Sequence, residues 1–184
     1  MDYLVEHPRI GMIRYQRSRG KRISITVKPG FVRVSVPQRE PLMKAQEFVE
    51  SKMDWIKRRT SKMRIDIEIA KTLPGIDRED ARKVLNRRLG ELAAEHNFEY
   101  ERVSIRCQKT RWGSCSSRNN INLNMNLLHL PSELIDYVLL HELTHTRVRK
   151  HGHEFWDELE TVCSDAKKKR RRLKGYGYCL MTIP

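Results

Sequence analysis

Alternating apolar and polar positions near the N-terminus predict a small sheet. In one segment Ile23, Ile25 and Val27 alternate with polar neighbours, and three segments share this pattern: residues 10–17, 22–28 and 31–36. Short runs rich in glycine, serine and proline separate the segments and predict turns. Because alternation directs every second side chain to the same face, we expect a small antiparallel sheet with one buried face.

The rest of the chain combines helical spacing with two further strands. Apolar residues recur every three or four positions, which predicts helices over residues 41–63, 77–97, 132–146 and 154–173. Shorter alternating runs predict strands over residues 103–106 and 120–127, whereas residues 64–69 fit either a helix end or a strand. Strands and helices in this order predict an α+β fold.

One predicted helix carries two histidines at the spacing of metal ligands. In His141-Glu-Leu-Thr-His145 the two imidazoles leave the same helix face, because they are four residues apart. Glu142 is rotated by about 100° around the helix, too far to be a third ligand but within reach of a water on the metal. Zinc lowers the pKa of such a water from about 15.7 to about 7, and a carboxylate can take its proton. The motif therefore predicts hydrolysis of a peptide bond with Glu142 as general base.

A hydrolytic zinc needs a third protein ligand beside the open position for water. The candidates are His151 and His153, because the other histidines precede the helix or lie far away in sequence. Five residues separate His151 from His145, as in the H-E-x-x-H-x-x-G-x-x-H motif, and we favour His151 for this reason. Val148 stands where that motif turns at glycine, so the helix must end in another way.

Several motifs in order resemble the YgjP-like zinc metallopeptidases, and more distantly the SprT-like and Wss1-like proteases. The resemblance runs from about residue 14 to residue 175. The motifs are Arg111-Trp-Gly-Ser-Cys-Ser116, Ile121-Asn-Leu-Asn124, Asp136-Tyr-Val138, the HELTH sequence, and His151 four residues before Phe155-Trp156. Linked motifs are more specific than one zinc pentapeptide. The chain is therefore similar to an HExxH-type peptidase along most of its length.

This resemblance implies a fold and a ligand set. It implies a zincin-like α+β fold, in which a small antiparallel or mixed sheet packs on helices and the metal site lies on a central helix. Residues 1–75 would form the sheet and a long basic helix, and residues 76–184 the metallopeptidase core, together one compact unit. His141, His145 and His151 would bind one Zn²⁺ per chain, with His153 outside the ligand set. Longer members have extra strands where this chain has only about residues 62–76, so its cleft would be more open.

The charge of the chain raises a second functional hypothesis. Lysine and arginine number 37 against 23 acidic residues, a net charge of +14. Clusters of basic residues attract polyanions, although such runs are often only solvated helix faces. The alternatives to a peptidase are a protein associated with nucleic acid, either a protease acting on DNA- or RNA-bound proteins or a binding module, and a non-catalytic zinc scaffold. The basic clusters lie at residues 17–22, 57–64, 82–88, 147–150 and 167–174.

Composition indicates a cytoplasmic protein with protein or peptide substrates and no membrane contact. Hydrophobic residues make up 39% and charged residues 33%, and the sequence shows neither a signal peptide nor a long apolar run. The four cysteines form no C-x-x-C pair, so reduced thiols are expected. The sequence predicts neither the physiological substrate nor the oligomeric state.

Several residues near the motif have two interpretations each. Trp112 would form part of the active-site wall or pack in the core. Asp136 would accept a hydrogen bond from a ligand imidazole or lie at the surface. Tyr176 or Tyr178 would stabilise an oxyanion or belong to a loop. Three asparagines of the segment 120–127 would contact an extended substrate or only solvent: Asn122, Asn124 and Asn126.

Overall fold

The N-terminal residues form a four-stranded mixed sheet in the spatial order β1-β2-β4-β3. Its strands are β1 (Asp2–His7), β2 (Gly11–Ser18), β3 (Ser24–Lys28) and β4 (Phe31–Pro37). The β1/β2 and β3/β4 pairs are antiparallel, whereas β2 and β4 run parallel. The prediction of an antiparallel sheet is therefore wrong at the central pair, and β1 was not predicted. The β3–β4 hairpin turns back with β4 on the inside, which places β4 beside β2 in the same direction.

The computed structural model describes residues 2–180 and divides into two compact units, Met1–Glu68 and Ile69–Pro184. Two helices follow the first sheet, α1 (Leu42–Ser51) and α2 (Met53–Lys71). The single helix predicted over residues 41–63 is thus interrupted at Lys52, where φ is −108° and ψ is 10°. The ambiguous residues 64–69 continue α2. In the first unit the most deeply buried side chains come from the sheet and the helices, and they include Ile13, Val32, Val34, Val36, Ala45, Val49 and Ile56.

A three-stranded sheet in the second unit has the order β5-β7-β6. Its strands are β5 (Arg102–Arg106), β6 (Gly113–Cys115) and β7 (Asn120–Asn124). β7 lies in the middle, parallel to β5 and antiparallel to β6. β6 is therefore an edge strand. The chain leaves β7 through a 3₁₀ helix at Met125–His129, so the strand predicted over residues 120–127 ends earlier.

Four α-helices complete the second unit. α3 (Arg78–Glu95) begins after Asp77, whose carboxylate accepts hydrogen bonds from the Glu79 and Asp80 amides, as the sequence predicted. α4 (Ser132–Arg147) carries the histidine pair. Beyond it lie α5 (His153–Val162), α6 (Ala166–Leu173) and a 3₁₀ helix at Lys174–Leu180. The predicted helix over residues 154–173 is interrupted before α6, because Asp165 adopts the left-handed conformation with φ 58°.

α4 is the central element of the second unit. Its apolar face packs against β7 and α5 in one buried cluster, to which Trp112 adds a partly buried ring. The fully buried members include Ile121, Leu123, Leu134, Leu139, Leu143, Phe155 and Leu159. The α+β class, with mixed sheets packed on helices, is confirmed. None of the helices within residues 2–180 is long and apolar enough to cross a membrane.

Candidate metal centre

Three imidazoles converge at the C-terminal end of α4. His141 and His145 project from the helix, and His151 reaches back from the loop between α4 and α5. The Nε2 atom of His151 lies 3.0 Å from that of His141 and 3.1 Å from that of His145. The candidate ligand atoms of the three residues lie within 4.8 Å of one another, a clustering fit for a metal ion. Residues separated by a helix end thus present one donor atom each to a common point.

The spacing of these nitrogens fits a tetrahedral ion. Zinc binds imidazole nitrogen at about 2.0–2.1 Å, and tetrahedral geometry then places two ligand nitrogens about 3.3 Å apart. The observed separations of 3.0 and 3.1 Å are slightly shorter. Within residues 2–180 no fourth protein ligand joins these three nitrogen donors, which leaves one position for water or substrate, as in catalytic rather than structural zinc sites. The donor set therefore fits a hydrolytic metal site.

The end of α4 orients one of these imidazoles. Nδ1 of His145 lies 3.0 Å from the carbonyl oxygen of Val148, so its N–H donates to that oxygen and Nε2 keeps its lone pair for a metal. Val148 ends the helix in an extended conformation, with φ −121° and ψ 111°. This conformation does not need glycine, because φ is negative. The valine found at the expected glycine position is thus compatible with the turn toward His151.

Two aromatic residues at the start of α5 pack on the three histidines. The ring centroid of Phe155 lies 4.9 Å from that of His141, 4.5 Å from His145 and 4.7 Å from His151. Phe155 is fully buried, and its ring packs against all three imidazoles. Trp156 lies beside it, 6.4 Å from the His141 ring and 6.2 Å from the His151 ring. These contacts limit the rotation of the three histidine side chains without using a polar atom.

The surroundings keep the imidazoles neutral. Burial, together with the charges of the neighbouring histidines and Arg170, lowers the pKa of His141 to about 3. Burial is also the main cause that lowers the pKa of His145 and of His151. A neutral imidazole has a free lone pair, whereas an imidazolium has none. The three residues are therefore prepared to bind a cation at neutral pH.

Glu142 is buried beside the histidines. Only 5% of its surface is exposed, and burial raises the pKa of its carboxyl to about 8, although the positive charge of Arg111 opposes this rise. A carboxyl with this pKa exchanges its proton near neutral pH, which suits a group that first accepts and then donates a proton. The structure thus places a buried carboxyl with a raised pKa one residue from His141.

Gly113 of β6 makes room for this carboxyl. A Cβ atom built on Gly113 would lie 2.7 Å from Cγ and 2.8 Å from Oε1 of Glu142, closer than real contacts allow. The backbone of the edge strand therefore touches the glutamate directly. This close approach was not predicted from the sequence. A glycine inside a short strand was the available signal, since it often marks a close approach.

The other residues singled out from the sequence lie elsewhere. Asp136 binds Arg88 of α3 through two hydrogen bonds of 2.7 and 2.8 Å, so it is neither a partner of a ligand imidazole nor a free surface group. His153 is exposed and pairs with Asp157, apart from the histidine cluster. Tyr176 packs against the core cluster of the second unit. The side chain of Tyr178 lies outside the described residues.

The asparagines of β7 and the following 3₁₀ helix are not a solvated row. Asn124 is fully buried and donates to the carbonyl oxygens of Gln108 and Arg111 at 2.6 and 2.8 Å. Asn126 is 1% exposed, and Asn122 donates to the Ser114 hydroxyl at 3.4 Å. Both interpretations offered from the sequence fail at Asn124 and Asn126. Asn124 is buried because it binds the loop before β6, and Asn126 is buried within the 3₁₀ helix that follows the strand.

The family model described as "YgjP-like, metallopeptidase domain" matches residues 21–74 and 66–176. The chain belongs to this YgjP-like metallopeptidase family. Its resemblance to the family, inferred from the motifs, is thereby confirmed. A search of curated proteins finds no match.

Two solved structures are similar to part of this YgjP-like chain. The metallopeptidase zymogen abylysin of Pyrococcus abyssi is 24% identical, with a TM-score of 0.46, over 54% of this chain and 99% of its own. The metallopeptidase zymogen jannalysin of Methanocaldococcus jannaschii is 26% identical, with a TM-score of 0.43, over 49% of this chain and 91% of its own.

Proposed function

We propose that this YgjP-like chain is a zinc-dependent endopeptidase with His141, His145 and His151 as the ligands of one ion. The observation that carries the proposal is the convergence of three imidazole donors beside one buried carboxyl. Family membership supports a peptidase, and the three nitrogen donors favour zinc over the oxygen-binding ions Mg²⁺ and Ca²⁺. An ion held by three protein ligands keeps a position open for the reaction.

Glu142 is the proposed proton carrier. Zinc, when bound, supplies a Lewis acid that stabilises negative charge on the reacting oxygen. Glu142 takes a proton from the attacking water and later delivers it to the nitrogen of the leaving amine, because its carboxyl, buried beside β6, titrates near neutral pH. Phe155 and the Val148 carbonyl keep the imidazoles oriented through the cycle. Protein or peptide would be the substrate.

The edge strand β6 is the proposed support for an extended substrate. The backbone carbonyl of Trp112 accepts a hydrogen bond from the backbone N–H of Asn124, and the backbone N–H of Ser116 donates to the backbone carbonyl of Asn120. In an antiparallel pair every second residue forms backbone hydrogen bonds with the neighbouring strand, so the N–H and C=O groups of Gly113, which lies between bonded positions, face away from β7. A substrate strand added there would lie next to Glu142. This replaces the asparagine row as the substrate-binding element, because β7 already pairs on both sides.

Metal content and peptide hydrolysis test the proposal together. Purified protein should contain one zinc per chain and cleave casein or a peptide library. Glu142→Gln should keep the zinc and lose at least about a hundredfold in kcat, since the water loses its proton acceptor. His151→Ala should lose zinc, whereas the exposed His153→Ala should keep both metal and activity. Unchanged turnover in Glu142→Gln would refute the mechanism, and bound zinc without turnover in the wild type would favour a scaffold.

Nucleic-acid association through the basic surface stays a prediction. On α6 the side chains of Lys167, Lys168 and Arg171 are exposed, which leaves them accessible to a polyanion. Binding of single- and double-stranded DNA and of RNA should be titrated between about 50 and 200 mM salt, because phosphate contacts weaken steeply over this range. No detectable affinity at the low end would exclude this function.

A further inference from the structure

Arg170 lies beside the histidine cluster on an aromatic support. Its Cζ atom is 4.9 Å from the centroid of the Trp156 ring, a cation–π distance. The same ring lies 6.2 Å from His151 and 6.4 Å from His141. A single aromatic residue therefore connects the guanidinium to two of the proposed zinc ligands. The stack also restricts the Arg170 side chain before any ligand arrives.

The positive charge of Arg170 changes the pKa values of side chains in and near the histidine cluster. It contributes to lowering the pKa of His141 and of His151, and it opposes the rise in the pKa of the buried Tyr137. These three side chains belong to two different elements, α4 and the loop after it. The guanidinium consequently projects positive potential over the region where a substrate would meet the histidines. Such a potential favours an anionic group there.

Arg170 has no carboxylate partner among the described residues, unlike Arg147 and Arg172. Arg172, two positions later, pairs with Glu133 at 2.6 Å. Arg147 pairs with Glu158 and also donates to backbone carbonyls. Arg170 is exposed, with Trp156 as its described side-chain contact. Its donors are therefore available to a ligand from outside the chain.

We propose that Arg170, held on the Trp156 ring, binds a carboxylate of the substrate and selects peptides with an anionic group near the scissile bond. The inference rests on the proposed peptidase function and adds the substrate class. Guanidinium presents paired N–H donors that match a carboxylate, and the stacked ring reduces the entropy lost on binding. An extended peptide advances about 3.4 Å per residue, so a side chain within about three residues of the bond can reach Arg170.

Two sources of the carboxylate have to be separated. One is the side chain of aspartate or glutamate within an endopeptidase substrate. The other is the free C-terminus of a short peptide. Matched quenched-fluorescence peptides distinguish them. In the first pair both termini are blocked; one peptide carries Glu at the positions within about three residues of the scissile bond, and the other carries Gln at the same positions. A second pair carries Gln throughout and ends in either a free carboxylate or an amide two residues after the bond.

Arg170→Gln and Arg171→Gln form the matched variants. Both remove one positive charge from the same helix, and Arg171 is also exposed without an ion pair among the described residues. A residue one step along a helix points about 100° away, so Arg171 does not share the position of Arg170. General attraction by the basic surface would respond equally to the two changes. Recognition of the carboxylate by Arg170 would be lost only in Arg170→Gln.

For zinc-loaded wild type, kcat/KM should be about tenfold higher for one carboxylate peptide than for its neutral partner. Arg170→Gln should bring the anionic peptide down to the rate of the neutral one and leave the neutral peptide within about twofold. Arg171→Gln should keep the preference. A preference confined to the blocked Glu peptides identifies a side-chain carboxylate, and one confined to the free C-terminus identifies a terminal carboxylate.

Binding to the Glu142→Gln protein separates this proposal from the peptidase function. The affinity of the same peptides, measured without cleavage, should show the same preference and lose it in the double variant with Arg170→Gln. Equal affinities for charged and neutral peptides would overturn the Arg170 proposal even if hydrolysis occurs. Equal losses in Arg170→Gln and Arg171→Gln would overturn it as well. Absence of cleavage by the wild type would refute only the peptidase function, and the binding measurement would still decide on Arg170.

Discussion

Gly113 shows how the absence of one side chain controls the position of another. A Cβ atom there would lie 2.7 Å from Cγ of Glu142, so Gly113→Ala must displace either the carboxyl or the β6 backbone. We expect kcat to fall by at least about tenfold, because a misplaced base transfers protons poorly. Zinc content should be unchanged, since the histidines are not touched.

The control for this substitution is Gly75→Ala. A Cβ atom at Gly75 would meet nothing within 4 Å, and its backbone does not require glycine. Hydrolysis rate and zinc content should both stay at the wild-type level in that variant. Wild-type activity in Gly113→Ala would contradict the close approach of β6 to Glu142.

The carboxyl of Glu142 should make the stability of the metal-free protein depend on pH. Its pKa rises from an ordinary value of 4.5 to about 8 on folding, so the folded state holds the proton more tightly than the unfolded state. The stabilisation from this group is complete below about pH 4.5 and is lost as the pH rises through about 8. The glutamine in Glu142→Gln cannot ionise, so this variant should not lose stability from position 142 as the pH rises.

Urea unfolding of the two metal-free proteins at several pH values measures this effect. The free energy of unfolding of Glu142→Gln, relative to wild type, should increase on the order of a few kcal/mol between pH 5 and pH 9. Other titrating groups are common to both proteins and cancel in the difference. A difference that does not change with pH would show that the carboxyl ionises freely in the folded state.

At the level of elements, one ion pair connects α3 to α4. Arg88 binds Asp136 through two hydrogen bonds, while 38% and 29% of their side chains remain exposed. Solvent screening weakens the interaction energy of such a partly exposed ion pair, so we expect Asp136→Asn to lower the free energy of unfolding by about 1 kcal/mol. A double-mutant cycle with Arg88→Gln isolates the pairwise contribution.

Arg87→Gln is the matched control on the same helix. Arg87 lies 3.7 Å from Glu91 and is 75% exposed, so its loss should change stability by less than about 0.5 kcal/mol. Zinc content and hydrolysis should be unaffected in Asp136→Asn, because Asp136 does not contact a histidine of the cluster. A loss of zinc in that variant would restore the role that the sequence suggested for Asp136.

The elements themselves were predicted unevenly, and the errors have physical causes. The start of α3 was correct because Asp77 caps it through hydrogen bonds within a few residues. The interruptions at Lys52 and Asp165 were missed, since apolar spacing continues across both and neither is glycine or proline. The parallel pairing of β2 with β4 was missed because register depends on the path of the β3–β4 hairpin rather than on local alternation.

At the level of the whole molecule, zinc should stabilise the fold. A ligand that binds only the folded state adds about 2.7 kcal/mol when its free concentration is a hundred times the dissociation constant. Zinc should therefore raise the melting temperature of wild-type protein in proportion to the logarithm of its concentration. His151→Ala should lose most of this shift, and His153→Ala should keep it. Scanning calorimetry with buffered zinc measures the difference, and an equal shift in both variants would contradict the proposed ligand set.

The sequence by itself determined the chemistry that this protein can host. Four-residue spacing on one helix places His141 and His145 on the same face, and neighbouring Glu142 follows from the same geometry, since a helix is specified locally. The family could also be predicted, because its motifs are short stretches of chain. These features need no knowledge of which distant residues meet.

Tertiary structure decided how that chemistry is arranged. The return of His151 to α4, the burial of Glu142 against Gly113 and the position of Arg170 on Trp156 all join residues that are apart in sequence. Their pKa values and contacts depend on desolvation and on charges brought together by packing. A linear pattern carries the identities of these residues, but only the packed chain sets the distances between them.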